Sequence, residues 1–362
     1  MIRVLHAADL HLDSPFAALR PGEAAQRRRE QREMIRRLAE ECVVRNCDLL
    51  LLAGDLFDSD RVFQETAEQL CEALGSVQAQ VFIAPGNHDP FSPVSPYATL
   101  SWPENVHIYR SRAVEAVRLK APAVTVYGAA FQEPRETGLL KDFRAEADPC
   151  PKIMVLHGTL GDPASVYNPI RDEEIRASGL DYLALGHVHK REIRQIGRTA
   201  VGNPGFALGR GFDELGPGGA LYVEIGDDGC RIEPVDLGGR RYEILTVAVQ
   251  EAPLTAIEAA LPEDTKNDIY RIILTGTCPA PDLAALRTAL ASRFYTLELI
   301  DRTLPSTELW KDVEEDSLKG EFLRQLKACY DAEDADETDR RLVAEAARLG
   351  LALMEGREVP GL

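Results

Sequence analysis

Five short polar clusters in the 362-residue chain contain side chains of the types that bind divalent cations in proteins. In chain order they are Asp9-Leu10-His11, Gly54-Asp55-Leu56-Phe57-Asp58, Gly86-Asn87-His88-Asp89, His157-Gly158 and Gly186-His187-Val188-His189. Carboxylate, imidazole and amide ligands without a thiolate suit Mn, Fe or Zn better than Mg alone. One such cluster is a weak signal, because a lone histidine at a strand end is more often a hydrogen-bonded core or surface residue. Five in succession indicate a metal site.

Each cluster directly follows a short apolar run that predicts a buried strand. The runs are Ile2–Ala8, Leu49–Ala53, Val81–Ala84, Ile153–Leu156 and Tyr182–Leu185, and helical patterns at Ala24–Arg45 and Gln64–Leu74 separate the first three. This alternation is typical of a layered α/β domain with a mostly parallel sheet. Ligand sites in such sheets form beyond the carboxyl ends of the strands, so we expect the five clusters to converge at one edge.

The Asp-x-His and His-x-His spacings add a local expectation. In extended backbone, residues i and i+2 face the same way. We therefore expect Asp9 and His11 to reach one ion or two adjacent ions, and we expect the same of His187 and His189.

The pattern changes twice further along the chain. Hairpin-like pieces between residues 190 and 240 predict antiparallel strands that extend the first domain. From Tyr242 a smaller strand-helix alternation predicts a separate α/β domain, and beyond it acidic clusters surround two helical patterns at Leu318–Tyr330 and Arg340–Met354. We expect three parts, at residues 1–240, 241–301 and 302–362.

Charge and composition limit which binding partners and which cellular compartment we expect. The chain has 41 Lys and Arg against 59 Asp and Glu, a net charge of −18 that argues against a surface coated in basic patches for nucleic acid. Seven cysteines without a Cys-x-x-Cys pattern predict buried thiols in a reducing compartment rather than a zinc ribbon or a disulfide framework. The longest apolar run near the start is far shorter than the roughly 18 residues of a membrane span. We expect a soluble, cytoplasmic protein with no membrane contact.

The order of the five motifs resembles the calcineurin-like metallophosphoesterase superfamily. The opening Leu5–Phe16, together with Gly202-Asn203-Pro204 and Gly209-Arg210, is similar to SbcD-type DNA repair exonucleases of the YhaO-like branch. The resemblance implies a metallophosphoesterase sandwich of mixed sheets flanked by helices, with a small α/β capping domain and a helical C-terminal tail. Ser/Thr phosphatases of the superfamily carry Asp-Arg-Gly where this chain has Asp58-Ser59-Asp60, which disfavours that subclass.

The same resemblance implies a ligand set for two divalent ions, with Mn²⁺ favoured and Fe²⁺ or Zn²⁺ as alternatives. One ion would bind Asp9, His11, Asp55 and His189, and the other Asp55, Asn87, His157 and His187. Asp55 would bridge them, and a hydroxide between the ions would attack phosphorus in line.

Two neighbouring residues have implied catalytic roles. His88 would assist the leaving group by protonating it, and Asp89 would hold the ring of His88. A simple turn or helix cap is the alternative for Asp89. Asp58 is expected to support a ligand or cap the following helix rather than bind metal.

Only the family resemblance implies that DNA is the substrate. The arginines between Arg20 and Arg37 could follow a phosphate backbone, but a solvated helix face with i,i+3 and i,i+4 ion pairs is the favoured interpretation. The resemblance also implies an SbcC-like coiled-coil ATPase as a partner docked on the tail, and pairing of two chains as a homodimer is an open possibility. Two alternatives remain: a phosphoesterase for a small nucleotide or other phosphoester, and a regulatory nuclease-like subunit of an ATPase complex, which the intact ligand set disfavours.

Overall fold

The computed structural model describes residues 1–17, 19–250, 252–278, 281–305 and 307–356. It divides into two compact units that meet in the sequence between Gly239 and Arg240. The expected further boundary at residue 301 stays a prediction. Residues 251, 279 and 280 of the predicted small domain, and residues 306 and 357–362 of the predicted tail, lie outside the described residues.

The first unit alternates strands with helices as far as residue 186 and then continues as hairpins. Its strands are β1 (Ile2–Ala7), β2 (Leu49–Leu52), β3 (Gln80–Ile83), β4 (Val106–Ile108), β5 (Glu115–Lys120), β6 (Ala123–Gly128), β7 (Lys152–His157), β8 (Tyr182–Gly186), β9 (Glu192–Ile196), β10 (Thr199–Asn203), β11 (Gly219–Gly226) and β12 (Gly229–Asp236). Its helices are α1 (Pro21–Val44), α2 (Gln64–Ser76), α3 (Pro96–Thr99) and α4 (Asp172–Ser178). The sequence patterns did not predict β4 and β5, because neither strand contains a continuous apolar run.

These strands form two mixed sheets of 6 strands each. The first sheet has the order β12-β11-β1-β2-β3-β4, in which β1 to β4 are parallel and β11 and β12 are antiparallel additions. The second has the order β5-β6-β7-β8-β10-β9, with a parallel centre and an antiparallel strand at each edge. The expected hairpins extend the first domain, and they do so by adding strands to both sheets.

Side-chain alternation along the central strands explains why the sheets stack. In β2, Leu49 and Leu51 join a buried core that also contains Ile153 and Val155 of β7, so this core lies between the two sheets. The intervening Leu50 packs in a second core with residues of α1 and α2. A third core covers the other face of the second sheet with α4. The predicted sandwich of mixed sheets flanked by helices is thereby confirmed.

The second unit is built around a small parallel sheet. Its strands are β13 (Tyr242–Val249), β14 (Ile269–Cys278), β15 (Thr296–Asp301) and β16 (Leu304–Pro305), and its helices are α5 (Pro253–Ala260), α6 (Leu283–Leu290), α7 (Leu318–Tyr330) and α8 (Glu337–Met354). The sheet order is β13-β14-β15, with β16 also pairing with β14. In α8, the buried Arg348 forms an ion pair with Asp301 at the end of β15, which ties a tail helix to the small sheet. Among the described residues, no helix has both the length and the hydropathy needed to cross a membrane.

Candidate metal centre

The predicted site residues come together where strands of both sheets end. Asp9 and Asp55 follow β1 and β2 of the first sheet, and Asn87 lies in the loop after β3. His157 is the last residue of β7 in the second sheet, and His187 directly follows β8. Because the two sheets stack face to face, the carboxyl ends of their central strands open onto one place.

The first group of candidate ligands, named here the Asp9 half, consists of Asp9, His11 and His189. His11 Nε2 lies 3.2 Å from His189 Nε2, and His189 Nε2 lies 3.6 Å from Asp9 Oδ1. Asp9 and His11 are buried, whereas His189 is partly exposed. The two imidazole nitrogens face each other beside a carboxylate. One cation placed between them could accept the lone pairs of all three groups.

The second group, named here the Asn87 half, consists of Asn87, His157 and His187. Asn87 Oδ1 lies 2.9 Å from His157 Nε2 and 2.9 Å from His187 Nδ1. Asp55, His157 and His187 also cluster closely enough to hold one ion. An amide oxygen between two imidazoles again presents ligand atoms to one point.

Asp55 belongs to both halves. Its Oδ2 atom lies 3.7 Å from His11 Nε2 and 3.4 Å from His157 Nε2, so one carboxylate oxygen faces a histidine of each half. Its Oδ1 atom accepts a hydrogen bond from the backbone N–H of His88 at 3.0 Å. The side chain is almost fully buried, which suits it to a bridging position between two ions.

The loops that carry these residues contain unusual backbone. Asp9, His11, Asp55 and His187 have φ values of 51°, 43°, 48° and 99°, in the left-handed region that non-glycine residues seldom adopt. The expected alternation of extended backbone at Asp9-Leu10-His11 and His187-Val188-His189 is therefore wrong. Left-handed turns aim these side chains into the site, and loop hydrogen bonds such as His11 N to Asp55 O at 2.9 Å hold the turns.

Two glycines allow the loops to pack this closely. Gly54 has a φ of 85°, and a Cβ atom there would lie 2.1 Å from His157 Nδ1. A Cβ atom at Gly86 would lie 2.2 Å from Asp55 Oδ1. Any side chain at either position would displace a candidate ligand.

Carboxylates raise the proton affinity of two histidines. Burial lowers the pKa of His157, but the neighbouring Asp55 outweighs burial and raises that pKa to about 9. Burial also lowers the pKa of His189, and Asp9 and Glu214 outweigh it and raise that pKa to about 10. Metal binding requires neutral imidazole, so a cation at this centre would displace these protons.

Asp55 and His187 are already in the protonation states that bind metal. Burial raises the pKa of Asp55, but His157 and His11 outweigh it and hold that pKa below its usual range. Burial and then the charge of His157 lower the pKa of His187 to about 4. An ionised bridging carboxylate and a neutral imidazole fit a divalent cation.

His88 lies at the exposed side of the Asp9 half. Its ring centroid is 4.7 Å from that of His11, and its Nδ1 atom is 3.4 Å from the backbone oxygen of Asp58. A third close group of possible ligand atoms comprises His11, Asp58 and His88. His88 is thus next to the metal centre and accessible to a substrate.

The structure gives no hydrogen bond or ion pair between Asp89 and the ring of His88, so it does not support the expectation that Asp89 holds this ring. Its buried carboxylate accepts hydrogen bonds from Gly86 N at 2.9 Å, Phe57 N at 2.9 Å and Tyr97 Oη at 2.5 Å. These bonds close the turn that begins at Gly86 and tie it to the loop after β2. The turn interpretation of Asp89 is the one the structure supports.

Four residues that the sequence patterns did not predict as part of the site contact candidate ligands or their backbone. Glu214 Oε1 lies 2.8 Å from His189 Nδ1, and Arg210 bonds to both Glu214 and Asp58. Gln31 of α1 donates to the backbone oxygen of His11 at 2.8 Å, and Asn168 donates to that of His157 at 2.9 Å. Apart from the Arg210–Glu214 pair, these residues lie 11 or more positions from their partners, so no local sequence pattern marks them. The one available signal was the Arg210–Glu214 spacing in a glycine-rich segment.

Comparison with known proteins agrees with this geometry. Residues 2–191 match the family described as calcineurin-like phosphoesterase. The uncharacterized metallophosphoesterase YhaO of Bacillus subtilis (strain 168) is 31% identical over 301 residues, covering 76% of this chain and 72% of that protein. The DNA double-strand break repair protein Mre11 of Aeropyrum pernix is 29% identical over 265 residues, with coverage of 67% and 63%. Mre11 of Methanopyrus kandleri is 30% identical over 213 residues, with coverage of 52% and 44%. The chain therefore spans less than two thirds of either Mre11 protein.

Proposed function

The chain belongs to the calcineurin-like phosphoesterase family, and from this premise we propose that it is a two-metal phosphodiesterase that cleaves DNA. The family assignment makes it a metal-dependent phosphoesterase. The observation that carries the two-metal proposal is the position of Asp55, whose Oδ2 atom faces His11 in one half of the centre and His157 in the other. We propose Mn²⁺ as the preferred ion, with Fe²⁺ or Zn²⁺ as alternatives.

Each part of the centre has a distinct task in this proposal. When bound, a pair of divalent ions neutralises charge on the phosphate and activates water for attack on phosphorus. Asp55 keeps the two halves at a fixed separation through its shared oxygen. His88 donates a proton to the leaving oxygen, because its ring is exposed beside the Asp9 half.

DNA is the favoured substrate because two relatives are DNA double-strand break repair proteins. The arginine-rich helix α1 adds little support. Arg36 forms ion pairs with Glu33 and Glu40, and the buried Arg27 donates to the backbone oxygen of Gly209. The ion pairs of Arg36 favour a solvated, charge-balanced helix face, and Arg27 is turned into the interior, so DNA contact is proposed to concentrate around the metal centre.

A coiled-coil ATPase of the SbcC kind is the proposed protein partner. Helices α7 and α8 expose large apolar side chains, with Leu318, Leu342 and Leu353 at 79%, 69% and 54% exposure. Exposed leucines on helices are typical of surfaces that pack against another helix. The capping role of residues 241–301, a homodimer and a cytoplasmic location stay predictions.

Cleavage assays with several substrates test the proposed function. The purified chain and Mn²⁺ are incubated separately with end-labelled single-stranded DNA, double-stranded DNA, a cyclic dinucleotide and a nitrophenyl ester. We expect shortened DNA products that chelation abolishes. Hydrolysis of the small esters without DNA cleavage, with or without an ATPase partner, would show a small-molecule phosphoesterase. No hydrolysis of any substrate would favour a regulatory subunit.

A further inference from the structure

We propose that Asp58, Arg210 and Glu214, named here the Arg210 bracket, position His11 and His189 and give the Asp9 half a higher affinity for its ion than the Asn87 half. This inference rests on the proposed two-metal function and deepens it. It concerns residues outside the ligand set, which act on the ion through the two histidines.

The bracket places a carboxylate behind each histidine of the Asp9 half. Glu214 Oε1 lies 2.8 Å from His189 Nδ1, and Asp58 Oδ1 lies 3.3 Å from His11 Nδ1. A carboxylate beside Nδ1 favours the tautomer with the proton on Nδ1 and the Nε2 lone pair free for a cation. The Glu214 contact is the closer of the two, whereas the Asp58 contact with His11 is an ion-pair distance without hydrogen-bond geometry. The Nε2 atoms of both rings are the ones that face each other across the Asp9 half.

One guanidinium joins the two carboxylates. Arg210 Nη1 lies 3.0 Å from Asp58 Oδ1, while Nη2 and Nε lie 2.7 Å and 3.0 Å from Glu214 Oε1. The backbone N–H of Arg210 also donates to Glu214 Oε2 at 2.7 Å. Because the guanidinium is planar and its donors point in set directions, it fixes both carboxylates at once.

The most buried residue of the Arg210 bracket depends on its charged partner. The Glu214 side chain is only 1% exposed, and a carboxylate at that depth requires charged partners. Arg210 and Asp58 are about one fifth exposed, at 22% and 21%. The bracket therefore runs from the interior at Glu214 to the edge of the site at Asp58.

In the part of the chain that the structure describes, no carboxylate lies at Nδ1 of His157 in the Asn87 half. His157 Nδ1 lies 2.9 Å from the backbone oxygen of Ala53, which is neutral. The ligand unique to this half besides histidine is the amide of Asn87, whereas the Asp9 half has the carboxylate of Asp9. With Asp55 shared, the Asp9 half has more negative charge around its ion, so it should bind a divalent cation more tightly.

Titration of the full chain with Mn²⁺, followed by calorimetry, tests the proposal without any nucleic acid. We expect two binding events of unequal affinity in the unmodified protein. Glu214→Gln should weaken the tighter event about 10- to 100-fold and leave the weaker one in place. Asn87→Ala should remove the weaker event and leave the tighter one, which assigns the events to the two halves. Equal affinities in the unmodified protein, or a Glu214→Gln isotherm identical to it, would overturn the proposal.

Three further measurements separate positioning from general structural damage. Glu40→Gln makes the same chemical change in an exposed ion pair of α1 and should leave both events unchanged. Asp58→Asn, at the solvent edge of the bracket, replaces Glu214→Gln if circular dichroism shows that the latter fails to fold, and it should weaken the same event.

In Glu214→Gln, high Mn²⁺ should restore kcat on a nitrophenyl phosphodiester, whereas a kcat that stays low at saturating Mn²⁺ would contradict a role through the ion. Because the isotherms do not depend on cleavage, failure to cut DNA would count against the proposed function and leave the bracket standing.

Discussion

The two halves of the metal centre are positioned by different means. In the Asp9 half, side-chain carboxylates from distant loops lie behind both histidines and are joined by Arg210. In the Asn87 half, the backbone oxygen of Ala53, directly after β2, and the buried amide of Asn168 hold His157. Charged side chains add affinity that a single substitution can remove, while backbone support persists as long as the sheets are folded. The difference suggests a centre with one firmly held ion and one more loosely held ion.

Asp55→Asn should have the largest effect, because it removes the charge that both halves share. We expect loss of both ions after dialysis, measured by elemental analysis, and a fall in phosphodiester turnover of about a thousandfold or more. Asp60→Asn, an exposed aspartate of the same loop, is the matched control and should retain both ions. Retention of one tightly bound ion in Asp55→Asn would show that the halves do not share this carboxylate.

His88→Ala should separate chemistry from metal binding. His88 is exposed beside the Asp9 half and outside the ligand set, so the variant should keep both ions and still bind DNA. Turnover should fall about 10²- to 10⁴-fold through loss of the proton donor. An unchanged rate on a phosphodiester would exclude the proposed role of His88, and loss of an ion would make it a ligand instead.

Asn168→Ala tests the backbone support of the Asn87 half. The buried side chain donates to His157 O at 2.9 Å and accepts from Leu139 N at 3.0 Å. Its removal should lower the free energy of unfolding by about 1–3 kcal/mol, measured in urea, because two buried polar groups lose their partner. The weaker Mn²⁺ event should weaken while the tighter one stays. Asn168→Asp keeps the acceptor for Leu139 and should lose less stability than Asn168→Ala. An equal loss in the two variants would show that the hydrogen bond from Leu139 N does not contribute to stability.

Arg36→Gln should have the smallest effect. Its guanidinium is occupied by Glu33 and Glu40 on the surface of α1, away from both halves. We expect unchanged Mn²⁺ binding and an unchanged rate of DNA cleavage across a salt series. A marked loss of DNA affinity would reinstate α1 as a track for the phosphate backbone.

The sequence predicted the fold well where a buried apolar strand is followed by a polar cluster, a pattern that recurs five times along the chain. The central strands β1, β2, β3, β7 and β8 were predicted within about one residue of their bounds, since fully buried strands are continuous apolar runs. The edge strand β5 was missed because its residues alternate between half-buried and exposed. Helix α2 ends at Ser76, two residues beyond the predicted end at Leu74, because one glycine in the last turn costs a helix only about 1 kcal/mol.

The sequence by itself determined which residue types line the centre and the order in which they occur. Only the tertiary structure decided how they are aimed and supported. The left-handed backbone at Asp9 and His11, the use of Asp89 to close a turn, and the contact of Glu214 with His189 all depend on loops packed from distant parts of the chain. Local patterns report the neighbours of a residue along the chain. The position of a metal ligand is determined by neighbours in space, and here these come from two sheets and from residues as far apart as Asp58 and Arg210.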